Sequence, residues 1–66
     1  MSIKISMTAA RVNAGLTQKE AAKEIGVSCE TIKNWEKGKT SPKVNQINII
    51  CDVYNMPVDN INFFNI

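Results

Sequence analysis

The sequence predicts an all-α fold, with five short helices packed as one compact domain over residues 1–66. Three observations carry that prediction. Helix-start signals recur: Thr17 with Glu20 three residues on, then Ser28, then Ser41-Pro42. Apolar residues follow them at helical spacing, most clearly Val44, Ile47, Ile50, Cys51 and Tyr54. No two segments alternate convincingly enough to make a strand pair.

Taken in order, residues 1–6 alternate, with Ile3 and Ile5 apolar between Ser2, Lys4 and Ser6. That pattern fits either a short extended arm or a fraying helix start. The first helix is expected over about residues 6–13, with Ala9, Ala10 and Val12 as its apolar stripe and Met7 nearby. Gly15 is its expected C-cap, because glycine takes the left-handed conformation freely. The second helix begins at Thr17, where Thr17 and Glu20 can cap each other's free N–H groups. Ala21, Ala22 and Ile25 form its inner face, while Lys19, Lys23 and Glu24 stay in water. Gly26 ends it, and Val27 plugs the turn.

The third helix starts at the cap Ser28 and runs to about residue 36. At about 100° per residue, Thr31, Ile32 and Trp35 fall on one side. Cys29, Glu30, Lys33 and Asn34 fall on the other. Gly38 is expected to end this helix inside a basic turn, Lys37-Gly38-Lys39-Thr40. The fourth helix is expected over about residues 42–54, with its apolar residues in the core and Asn55 as a left-handed cap. The fifth is expected over about residues 58–64, with Val58, Ile61 and Phe64 inward.

Composition narrows the function. Sixty-six residues at 44% hydrophobic make one small core, too apolar for disorder. No run reaches the roughly 18 apolar residues of a membrane span. Residues 1–11 lack the layout of a signal peptide, so a cytoplasmic protein is expected. Histidine is absent, which removes the commonest metal ligand and the usual general base. Cys29 and Cys51 fit no disulfide or zinc pattern. An enzyme is therefore not expected, nor a cofactor, a metal or a small-molecule ligand.

Charge is lopsided along the chain. All eight Lys and Arg lie in residues 1–43 beside four Glu, which leaves +4 there. Asp52 and Asp59 leave −2 in residues 44–66. A basic front and an acidic back suggest a polyanion on one side, although surface scatter gives the same totals.

The run from Leu16 to Pro42, LTQKEAAKEIGVSCETIKNWEKGKTSP, resembles the helix-turn-helix of the phage repressor and Cro family, the lambda-repressor-like domains. Leu16, Thr17, Gln18, Ala22, Gly26, Val27, Ser28, Ile32, Trp35, Glu36 and Gly38 stand at the family's spacings. The resemblance covers about residues 6–64. It implies a compact five-helix domain, with the helix-turn-helix at helices 2 and 3, that binds the major groove of double-stranded DNA as a homodimer. By position it implies base-edge contacts from Cys29, Glu30, Lys33 and Asn34. It implies backbone contacts from Gln18, Ser28, Lys37, Lys39 and Thr40, and an ion pair between Arg11 and Glu36. Two departures stand out. Pro57 replaces the usual Ser or Thr cap of the last helix, and Cys29 replaces a longer polar side chain.

The chemistry of these residues suits the groove. Asn34 can pair with adenine through two hydrogen bonds, Lys33 can donate to guanine, and Glu30 can accept from cytosine. Cys29 can pack on a thymine methyl, and Glu30 repels phosphate, so it makes sense only as a specificity device. An ordinary solvated helix face is the alternative for all four. The apolar ends exceed what the helices must bury. They either seal the core or form a twofold interface, with Ile61 and Phe63 facing outward and Phe64 beside them. The reading is thus a DNA-binding transcriptional regulator. The absence of any following domain favours a Cro-like phage repressor on a palindromic operator. The alternative is an antitoxin-type interaction module that autoregulates through DNA.

Overall fold

The computed structural model describes residues 4–63. The described residues form strand β1 (Ile5–Ser6), helices α1 (Met7–Asn13), α2 (Gln18–Ile25), α3 (Cys29–Lys37) and α4 (Val44–Tyr54), a 3-10 turn at Val58–Asn60, and strand β2 (Ile61–Asn62). Ile3, Phe64 and Ile66, expected at the apolar ends, lie outside them.

Three helix starts follow the capping logic of the sequence. Ser6 Oγ accepts from the Ala9 N–H at 3.0 Å and opens α1. At α2 the Thr17 N–H donates to Glu20 Oε1 at 2.9 Å, and the Glu20 N–H donates to Thr17 Oγ1 at 3.1 Å. Ser28 Oγ accepts from the Thr31 N–H at 3.1 Å and opens α3. The turn between α2 and α3 depends on Gly26, whose φ of 90° is left-handed. The Gly26 and Val27 N–H groups then both close back on the Ala22 carbonyl, at 2.8 and 2.9 Å, and the chain reverses there.

The core joins all four helices to the C-terminal strand. Met7 and Ala10 come from α1, Ala21, Ala22 and Ile25 from α2, Ile32 and Trp35 from α3, and Ile50 and Tyr54 from α4. Ala10 and Ala21 are fully buried, and their small side chains let α1 and α2 pack closely on their neighbours.

The structure corrects the expected fold at its end. There are four α-helices among the described residues, not five. Val58–Asn60 makes a single 3-10 turn, closed by the Asn60 N–H on the Pro57 carbonyl at 3.0 Å. Ile61 then turns extended, and β2 pairs in parallel with β1, Ile5 opposite Ile61 and Ser6 opposite Asn62. Val, Asp and Asn are weak helix formers, so the segment yields to a pairing that buries Ile61. Of the two readings left open for residues 1–6, Ile5 and Ser6 take the extended one.

Smaller corrections follow. α4 begins at Val44, with Lys43 as its N-cap, rather than at Ser41-Pro42; the Lys43 N–H donates to Gln46 Oε1 at 2.8 Å. As the first helical residue, Val44 projects past the core and is 83% exposed. Val12 is 60% exposed, because the inner face of α1 runs through Met7 and Ala10, and Val12 sits about 200° round from Ala10. Val58, expected inward, is half exposed on the 3-10 turn. Ile61, expected inward on the last helix but outward in the twofold-interface alternative, is 2% exposed, and Phe63, expected outward in that alternative, is 5% exposed, both within the protomer's own core. The β1–β2 pairing turns Ile61 inward, and Phe63, at the bend just after β2, is buried in the same core, so neither side chain is free to meet a second copy.

Candidate nucleic-acid interface

α3 is held from behind. Ile32 and Trp35, three residues apart, bury one face of the helix against α2 and the core. The opposite face carries Glu30 and Lys33, both exposed, and Asn34, half-buried. Residues three and four apart on a helix are surface neighbours, so Glu30, Lys33 and Asn34 form one polar patch. Cys29 stands apart from them. It is half-buried and packs against the edge of the core, so its thiol is shared between the core and the outer face.

The turn after α3 folds back on the helix end. The Lys39 N–H donates to the Asn34 carbonyl at 2.9 Å, and the Thr40 N–H donates to the same oxygen at 3.4 Å. Gly38 allows this with a φ of 78°. Lys37, Lys39 and Thr40 are therefore exposed beside the C-terminal end of α3. Lys19, Lys23, Lys33 and Lys43 are exposed as well. Ser28 is exposed, but its hydroxyl is engaged in the cap and stands 2.8 Å from Thr31 Oγ1.

Behind this surface lies a polar hub at Glu36. Arg11 Nε donates to Glu36 Oε2 at 2.7 Å, and Nη2 reaches Oε1 at 3.4 Å. Arg11 Nη1 also donates to the Leu16 carbonyl at 2.7 Å. The two charged side chains are only 12% and 6% exposed. Gln18 completes the hub, its Nε2 donating to Glu36 Oε1 at 3.0 Å. Burial raises the Glu36 pKa, but the hydrogen bonds from Arg11 and Gln18, the Arg11 charge and a bond from Thr8 outweigh it. The net result lies below a carboxylate's ordinary value. At Glu20 the Thr17 backbone and side-chain hydrogen bonds likewise lower the pKa.

Tyr54 lies close enough to sense this hub. Its hydroxyl is buried without a hydrogen-bond partner among the described residues. Burial, reinforced by the Glu36 charge and opposed by Arg11, pushes its pKa up to about 12.

Glu30, Lys33 and Asn34 share the outer face of α3, and Lys37, Lys39 and Thr40 lie exposed at its C-terminal end. Gln18 and Ser28 each have a partner within the chain. The Gln18–Glu36 bond was missed by sequence reasoning, which paired Glu36 with Arg11 alone. No spacing in the sequence signals that bond, because it forms only where the α2 start meets the α3 end. No helix among the described residues is long and apolar enough to cross a membrane.

Comparison with known proteins gives a consistent result. A family model described as helix-turn-helix matches residues 7–61. Two proteins of Archaeoglobus fulgidus, each named as an uncharacterised HTH-type transcriptional regulator, are 39% identical to this chain over 54 residues. The aligned part covers 82% of this chain and 77% and 76% of those proteins. No solved structure matches the chain.

Proposed function

Since the chain belongs to the helix-turn-helix family, we propose that it is a sequence-specific, DNA-binding transcriptional regulator rather than an enzyme. In this reading α3 lies in the major groove and α2 crosses the backbone above it. Lys33 and Asn34 meet base edges, Glu30 and Cys29 refine the choice, and Lys37, Lys39 and Thr40 meet phosphates. Gln18 and Ser28 complete the backbone contacts from the two helix starts.

One observation supports this most. The inner face of α3 is fixed by Ile32 and Trp35, while the outer face presents a donor, an acceptor and an amide beside an exposed basic turn. Base contacts supply specificity only when the side chains that make them are held in register, and the buried face supplies that rigidity. The reading extends to a Cro-like phage repressor that occupies a palindromic operator as a homodimer. The dimer contact in that case uses surface other than Ile61 and Phe63, whose side chains the core has taken.

Selection from a pool of random duplexes tests the reading. Bound DNA is expected to converge on one sequence, as two inverted half-sites about one helical turn apart. Sedimentation with that duplex is expected to give two chains per site. A pool that never converges would contradict sequence reading, and one chain on an asymmetric site would contradict the dimer.

A further inference from the structure

Glu36 is a better-connected carboxylate than one ion pair requires. Its Oε2 takes the short Arg11 contact at 2.7 Å. Its Oε1 is only distantly approached by Arg11, at 3.4 Å, and takes its closer bond from Gln18 at 3.0 Å. Gln18 is the first residue of α2, and Glu36 is the last but one of α3. The bond therefore links the start of one helix to the end of the other. A carboxylate only accepts, so the Gln18 amide must turn its NH2 group toward Glu36 and its carbonyl away. One N–H is then used. The second has no acceptor among the described residues and belongs to a half-buried side chain.

We propose that Glu36 is a positioning residue for DNA binding: it fixes the Gln18 carboxamide so that the second Nε2 N–H donates to a phosphate oxygen. The inference rests on the DNA-binding reading above and names what orients one of its backbone contacts. An unfixed amide presents its carbonyl to the phosphate as readily as its NH2, and two acceptors repel. Fixing the amide removes that wrong orientation and the rotamer freedom that binding otherwise has to freeze. Arg11 supports the arrangement from the far side by holding Oε2.

The test compares Gln18→Met, Glu36→Gln and the double variant on two probes, the duplex selected from the random pool and an unrelated duplex. Gln18→Met is expected to weaken both by about tenfold, because a phosphate contact carries no sequence information. Glu36→Gln is expected to weaken both to a similar degree, and the double variant no further than either single one, since the two residues act through one contact. Additive losses, or a Glu36→Gln chain that binds like wild type, overturn the proposal and leave sequence reading intact. A wild-type chain that holds neither duplex defeats the underlying reading instead. Because Glu36→Gln also weakens the Arg11 pair, the wild-type Gln18 side-chain NH2 resonances give a readout that lost stability alone does not move. They are expected to shift as Glu36 titrates, and one of the two protons to shift again when either duplex is added. NH2 signals that follow neither change overturn the proposal.

Discussion

The α2–α3 pair and the segment after α4 each carry helix-start signals, yet they are specified in different ways. In the pair, each boundary is set by a group within a few positions: Thr17 with Glu20, Gly26 in the turn, Ser28 with Thr31. After α4, local preference is weak, and a distant partner decides. Pro57 and Val58 resemble a helix start, but Ile61–Asn62 leaves the helical path to lie along Ile5–Ser6 at the other end of the described chain. The difference teaches that capping chemistry is legible residue by residue, whereas a two-residue parallel pairing is visible only once the core is assembled.

The same contrast separates what was readable in the site. The sides of α3 follow from helical period alone, so Ile32 and Trp35 fall inside and Glu30 and Lys33 outside. Cys29 does not, because the edge of the core curls around the start of the helix and claims part of it. The Gln18–Glu36 bond depends on the angle between two helices, which no spacing encodes. Phe63 reads as a surplus apolar residue until the β1–β2 pairing brings the end of the described chain into the core.

The largest expected effect tests the ion pair that ties the locally specified pair to α1. Arg11→Met leaves the Glu36 carboxylate buried without its cation, at a cost of about 3–5 kcal/mol. A domain of this size has a total stability of about 3–10 kcal/mol, so urea unfolding should begin near zero denaturant. The pH profile should change with it. The folded Glu36 pKa is lowered, so its contribution is present above the unfolded carboxylate pKa of about 4.3 and is lost as pH falls through the folded value. In Arg11→Met that acid limb should flatten.

The distant pairing is tested by Ile61→Ala against Val58→Ala. Ile61 is in the core, so its truncation should cost about 2–5 kcal/mol by chemical denaturation. Val58 lies three positions earlier on the exposed turn, and its truncation should change stability by no more than about 0.5 kcal/mol. Equal effects would erase the difference between a buried strand and an exposed turn.

A smaller effect is expected at Tyr54, where α4 meets the Glu36 hub. Tyr54→Phe removes a buried hydroxyl that has no partner among the described residues, and should be neutral or stabilising by about 1 kcal/mol. The folded Tyr54 pKa is raised to about 12, so the wild type should lose stability as pH rises from about 10, the unfolded tyrosine value, through 12. Tyr54→Phe should lack that alkaline limb in thermal melts at stepped pH.

The central claim is that the outer face of α3 reads bases while the turn beside it holds the backbone. Titrating Asn34→Ala and Lys39→Ala with the selected duplex and its single-base variants, at several salt concentrations, tests it most directly. Asn34→Ala should lose about 1–3 kcal/mol of discrimination at one base pair and keep its salt slope. Lys39→Ala should weaken every duplex alike and lower the slope by about one counterion. If both variants keep wild-type affinity, base preference and salt slope, α3 and its turn do not form the DNA-reading surface.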